Sequence, residues 1–312
     1  NEAYGVDASF GFFQNVSLLT SYAKTRTEGL TGNDESYQAR FNYAGTTWGA
    51  SAGHLLVGDD FNPEIGFVRR KDFRQSSLSG RFSPRPESIS WIRVLTFQAN
   101  LGYVESERLG FLESRDWGGS AQVEFENGDT FGTTFTDTYE RLIGETEISG
   151  AALPAGRYSF RDVEASYFLG PQRRVTGSVS LKRGGFYSGH VTALGLSQAR
   201  IELTPQLSVE PSVQFNWIDL PGPEQTEDPF NQHLARTRVT YSLSPRMYVS
   251  GLVQYNSGSD SFSSNFRLRW EWAAGSELFV VYTEDRDTNV LDRWSELSSR
   301  ALVIKVNRLL RL

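Results

Sequence analysis

Residues 206–220 read QLSVEPSVQFNWIDL. The odd positions Leu207, Val209, Pro211, Val213, Phe215 and Trp217 are apolar, and the even positions Ser208, Glu210, Ser212, Gln214 and Asn216 are polar. Successive side chains on a strand point to opposite faces, so this stretch reads as a strand with one apolar and one wholly polar face. About ten residues tilted by roughly 45° span the hydrocarbon of a bilayer, and an aromatic ring such as Trp217 at the end of the row favours the membrane–water interface. A strand of a soluble sandwich shows such alternation once. Repetition along the chain decides whether protein or lipid lies against the apolar side.

The alternation recurs from one end of the 312 residues to the other. Tyr4, Val6, Ala8, Phe10 and Phe12 form an apolar row, answered after a turn at Gln14-Asn15 by Val16, Leu18, Thr20 and Tyr22. Further rows include Tyr37 to Tyr43, Trp91 to Tyr103 and Trp117 to Phe125, the last ending at the hairpin signal Asn127-Gly128. Val191, Ala193, Ala199 and Ile201 read as one row, as do Phe262, Phe266, Leu268, Trp270 and Trp272. About seventeen strands follow in one antiparallel series. Tight turns near Asn15, Gly45, Pro84, Gly128, Pro171, Pro205, Pro245 and Gly275 alternate with longer polar loops, among them 144–156 and 221–231. Short turns at one end and longer loops at the other are the pattern of an outer-membrane barrel. The fold expected is therefore all-β: an antiparallel up-and-down transmembrane β-barrel occupying residues 1–312 as one domain.

Charge and composition agree. Arg40, Arg81, Lys182, Arg200, Arg236, Arg238, Arg267, Arg269 and Lys305 fall on the polar face, with Glu124, Glu202, Glu210 and Glu271. An Arg or Lys facing lipid at mid-membrane costs about 2–4 kcal/mol, which enforces such sorting. Arg93 is the exception, near a strand end where it snorkels. Mean hydropathy is −0.40, and no run approaches the roughly 18 apolar residues of a spanning helix. The absence of cysteine excludes disulfides, thiolate metal sites and cysteine nucleophiles. A net charge of −6 argues against nucleic acid as a partner. Seventeen is odd, whereas single-chain bacterial barrels have an even strand number, and the chain opens on Asn1 rather than Met. The expectation is the C-terminal part of a longer protein, with 18 or more strands in the complete barrel.

FNPEIGFVRR at 61–70, followed by Asp72-Phe73-Arg74, resembles bacterial proteins with an N-terminal domain similar to family-9 carbohydrate-binding modules and a long outer-membrane barrel. YGVDASF near the start and IKVNRLLRL at the end are similar in style. The resemblance covers barrel sequence alone. It implies a Gram-negative outer-membrane location, with lipid as the surroundings and envelope proteins or polysaccharide as partners. It carries no catalytic residues and no cofactor.

Two regions are candidate sites. Within the loop GDDFNPEIGFVRRKDFR at 58–74, Asp59, Asp60, Glu64, Arg69 and Arg70 suit a constriction that filters charge, or a loop packed on its neighbours. Arg236, Arg238, Arg267 and Arg269 lie on alternate strands and suit an anion-favouring lumen, or one neutralised by glutamates such as Glu210 and Glu271. Asp285, Asp287, Asn289 and Glu296 match four positions of a calcium loop, with Val290 where glycine belongs. His190 and Thr192 share a strand face, the arrangement a barrel-embedded hydrolase needs, but no GxSxG elbow is present. The function expected is a porin-like passive channel or the membrane anchor of a larger assembly. The alternatives are a sealed docking barrel for a carbohydrate-binding domain or partner proteins and, behind it, the hydrolase; no enzyme is expected.

Overall fold

The computed structural model describes every residue except 65, 149–150, 221–229, 291–292 and 311–312. Most of the acidic loop expected at 221–231 lies outside the described residues, as do Ile65 and Leu312. All regular structure among the described residues is β, and no helix is long and apolar enough to cross a membrane. The fold divides into two compact units, Asn1–Glu126 with Gly132–Val163 and Gly184–Ser188, and Asn127–Phe131 with Glu164–Arg183 and Gly189–Leu312.

In the first unit β1 (Glu2–Phe12), β2 (Val16–Arg26), β3 (Glu35–Ala44), β4 (Trp48–Val57), β5 (Phe73–Phe82), β6 (Ile92–Glu105) and β7 (Leu112–Phe125) each pair antiparallel with the next. β8 (Thr130–Leu142) follows. A small hairpin, β9 (Thr146–Ile148) with β10 (Ala151–Leu153), precedes β11 (Gly156–Leu169), which pairs with β8. β12 (Val175–Phe186) begins in the second unit and ends, from Gly184 onward, in the first. In the second unit β13 (Gly189–Glu202), β14 (Leu207–Asp219), β15 (Phe230–Ser244), β16 (Met247–Asn256), β17 (Ser261–Ala273), β18 (Ser276–Asp287) and β19 (Glu296–Asn307) again pair antiparallel in sequence order. Apart from β9 and β10, the strands form one 17-stranded sheet, in agreement with the strand number read from the alternation.

The register turns each alternating strand into part of a row. Across β14 and β15, Val209 faces Val239, Val213 faces Ala235 and Phe215 faces His233, while Ser208 faces Thr240 and Glu210 faces Arg238. Among the described residues no protein layer covers the apolar rows. Nine hydrophobic side chains are buried among the described residues, including Leu56, Val57, Phe61 and Ile218, against 45 large ones that are exposed. All seven tryptophans are among the exposed, each by at least 40%. In ordinary soluble domains Trp is one of the best-covered residues. Several rings gather at the short-turn end: Trp48 stacks on Phe82 at 4.2 Å, Phe82 on Phe97 at 6.5 Å, and Trp91 on Phe125 at 5.8 Å. In the second unit Trp270 and Trp272 meet edge to face at 5.9 Å.

The structure corrects the sequence reading at four places. Arg93 is not an apolar-face exception: it is the extra residue of a bulge between Ile92 and Val94, and its guanidinium bonds Glu124 at 2.9 Å. Val191 and Ala193 do not share the face of Ile201. A bulge between Leu196 and Ile201, where Gln198 has φ 52°, shifts the parity by one. Thr192 and Leu194 instead join Trp217 and Phe215 on the apolar face, and Val191 and Ala193 are buried. No long loop separates β12 from β13; the chain reverses through Tyr187-Ser188 alone. Lastly, 144–156 contains the β9–β10 hairpin rather than loop throughout.

One turn is locked by a single carboxylate. Gly128 adopts φ 79° in the Asn127-Gly128 turn, a conformation costly for a side chain with Cβ. Asp129 follows; its backbone NH donates to the Asn127 side chain at 2.9 Å, and its carboxylate accepts from Gly170 NH, Tyr167 OH and Arg173, each at 2.9 Å. The Gly170 amide, reinforced by Tyr167 and Arg173, holds this carboxyl below the ordinary carboxylate range. A depressed pKa means stabilisation that is present at neutral pH and lost as pH falls through the folded-state value. Asp129→Asn is therefore expected to lower the unfolding temperature at pH 7 and to narrow the gap from wild type as pH drops below 4. An unchanged gap between pH 7 and pH 3, read by thermal melts in detergent, would contradict the role given to this group.

Candidate functional site

The second unit brings the four expected arginines to one face. On β15 Arg236 lies opposite Ser212 and Gln254, and Arg238 opposite Glu210 and Leu252. On β17 Arg267 lies opposite Ser250 and Val281, and Arg269 opposite Tyr248 and Phe279. All four point away from the row of Val213, Ala235 and Val253. Arg269 is neutralised: its Nε and Nη2 donate to Glu277 at 3.0 and 2.9 Å. Arg236, Arg238 and Arg267 are exposed and have no ion pair among the described residues. The glutamates expected to neutralise them are engaged elsewhere. Glu210 lies 3.8 Å from Arg200, and Glu271 accepts from Gly275 NH. What remains on β15 and β17 is a strip of three uncompensated guanidinium groups facing the same side, a chemistry that suits small anions.

The 58–74 loop belongs to the first unit and is tied to its neighbours. Gly58 NH donates to Glu35 O at 2.9 Å. The Asp60 carboxylate accepts from Thr31 NH at 3.0 Å and Gly32 NH at 2.5 Å, and Asp59 accepts from Asn33 NH at 2.8 Å. Asn62 NH donates to the Thr25 hydroxyl at 2.9 Å, beside the buried Phe61 ring. Asp72, at φ 58°, accepts from Arg108 NH at 2.7 Å, and Arg70 pairs with Glu113 at the start of β7. Asp59 and Asp60 thus cap the β2–β3 connection. Glu64 and Arg69 are exposed and stand away from these bonds, and Phe67 is 91% exposed.

The remaining motifs fall as follows. His190 and Thr192 do share a face, opposite Asp219 and Trp217, and that face is the apolar one. Asp285 and Asp287 are strand residues of β18 and Glu296 opens β19, so the calcium-like spacing is spread over a strand pair rather than wound into a loop. Asp285 accepts from the Ser299 hydroxyl at 2.8 Å and Asp287 from Asn289 NH at 2.8 Å. The alternation pattern missed a different set. Beyond the apolar rows, at the long-loop end, the same face turns ionic: Arg74 bonds Glu105 at 2.5 Å, Arg115 and Arg161 clamp Asp137, and Glu284 takes Arg286 and Arg300. Such rows lack the apolar–polar contrast on which strand recognition rests, so the signal fades where the apolar band stops.

No protein-family model matches this chain, and no curated protein matches it.

A Cβ at residue 58 would overlap the Asn33 carbonyl. Gly58→Ala is expected to open the loop at a cost of about 1–3 kcal/mol, giving about tenfold faster trypsin cleavage at Arg69, Arg70 or Lys71. Equal cleavage rates would show that the loop is not held at this point.

Proposed function

We propose that the chain is an outer-membrane β-barrel of the Gram-negative envelope that works as a passive channel with a preference for anions. The carrying observation is the uncovered apolar face: 45 exposed large hydrophobic side chains and seven exposed tryptophans, with charge sorted to the opposite face through the apolar rows. Lipid is the solvent that makes such a surface stable. Leu207 to Trp217 on β14 spans ten residue steps, about 33 Å along the strand. At roughly 45° of tilt this rises about 23 Å, close to the 25 Å apolar band of such barrels. Closing an antiparallel sheet takes an even number of strands, and we read the ring as completed by at least one strand beyond these seventeen. Selection would then follow from the free guanidinium groups of Arg236, Arg238 and Arg267 on the water-filled side.

The docking barrel is the second reading, and the loop platform favours it. The carboxylates of the 58–74 loop are spent on fixing neighbouring loops, which leaves Phe67 and Leu109 presented to solvent as on a partner-binding surface. The resemblance to barrels that follow a carbohydrate-binding domain supports the same reading.

Two measurements test these readings. Val213→Arg is expected to weaken vesicle insertion by about 2–4 kcal/mol, and Gln214→Arg to leave it intact; equal tolerance of both would remove lipid from the apolar face. In planar bilayers the complete barrel is expected to give steady ohmic steps that favour anions, with the preference reversed by Arg236→Glu, Arg238→Glu and Arg267→Glu together. Insertion without conductance would discard the channel and leave the docking barrel.

A further inference from the structure

Strands β7, β8 and β11 run past the apolar band at the long-loop end. Trp117 is on the apolar face of β7 opposite Leu101, and Arg115, two residues on, keeps that face. On β8 the face of Phe131 and Phe135 continues through Asp137 to Arg141, and on β11 the face of Val163 continues through Arg161 and Arg157. The exposure pattern agrees: Arg157, Ser159, Arg161 and Val163 are exposed while Tyr158 and Phe160 between them are half-covered.

Four arginines, Arg115, Arg141, Arg157 and Arg161, thus share the face just above the apolar rows, and among the described residues Asp137 is the carboxylate they hold. It is 7% exposed and takes Arg115 Nη2 at 3.1 Å and Arg161 Nε at 2.6 Å. Glu113, the extra residue of a bulge at the start of β7, is already taken by Arg70, and Arg141 stacks over the Phe111 ring at 4.3 Å. Glu140 belongs to the other face and accepts from Tyr187 OH at 2.8 Å. Asp137 acts as an anchor rather than a neutraliser: it orients two guanidinium groups and leaves most of their donors outward, with the Arg161 side chain 72% exposed. Arg115 Nε is shielded from water and has no acceptor, a donor still lacking a partner.

We propose that this face binds the phosphate of a membrane lipid headgroup. Guanidinium forks match phosphate oxygens two at a time, which favours phosphate over a zwitterionic or neutral headgroup. The source is set by position, because acyl chains lying on Trp117, Phe135 and Val163 place their headgroup at the level of Arg115, Arg157 and Arg161. The inference rests on the membrane reading above and gives the outer surface a ligand separate from the polar-face strip.

The test uses the full chain in detergent micelles, with didecanoyl phosphatidic acid, the matching phosphatidylcholine and inorganic phosphate as probes, and native mass spectrometry to count bound molecules. Wild type is expected to retain phosphatidic acid well above phosphatidylcholine. Arg157→Gln with Arg161→Gln is expected to weaken it about thirtyfold, while Arg246→Gln, in the short turn between β15 and β16, leaves it unchanged. Arg157→Gln alone, which leaves the Asp137 clamp whole, should lose about fivefold and guards against misfolding of the double variant. Equal retention by wild type and the double variant overturns the proposal. Full displacement by inorganic phosphate overturns the lipid source. Failure here with the Val213 and Gln214 result intact leaves the membrane reading standing; failure of both removes the two together.

Discussion

Everything in this fold depends on a sheet whose apolar side is covered by no other element among the described residues. A soluble protein of this size gathers its large side chains inside, whereas here the buried hydrophobic set is small and scattered. Cohesion comes from the ladder of backbone hydrogen bonds between sequence neighbours and from cross-strand pairs such as Trp48 with Phe82. The same constraint explains why charge is tolerated on one face along the whole length of a strand and on the other face only beyond the apolar rows.

That segregation is also why so much of the architecture could be read from residues alone. A period of two is a strong signal when one face is greasy and the other wet, so strand number and antiparallel succession were legible, and so were turns such as Asn127-Gly128. The signal failed where its cause failed. β7, β8 and β12 extend into a zone where neither face carries an apolar row, and on β11 the aromatic residues Tyr158 and Phe160 sit on the face opposite Val163, so the apolar row does not run on. Bulges are the other blind spot. One inserted residue at Arg93, and another between Leu196 and Ile201, exchange the faces without leaving a mark in composition.

The candidate sites were legible to different depths. That Arg236, Arg238, Arg267 and Arg269 share a face follows from parity alone. Which of them lack a counter-charge does not: Glu277 was not foreseen as the partner of Arg269, and Glu210 faces Arg238 in register yet leans to Arg200. Side-chain reach decides such pairings, and reach is invisible to spacing. For the 58–74 loop the residues were found but not their roles, because Asp59 and Asp60 bond backbone amides about 28 residues away in sequence.

The strict succession of neighbours has a kinetic consequence. Within β1 to β7, and again within β13 to β19, every strand bonds the strand just before it, so each new hairpin closes a short loop onto an edge already formed. Closing a short loop carries a small entropic penalty, and such contacts form early. Each of these two runs can therefore zip up hairpin by hairpin from any nucleus within it.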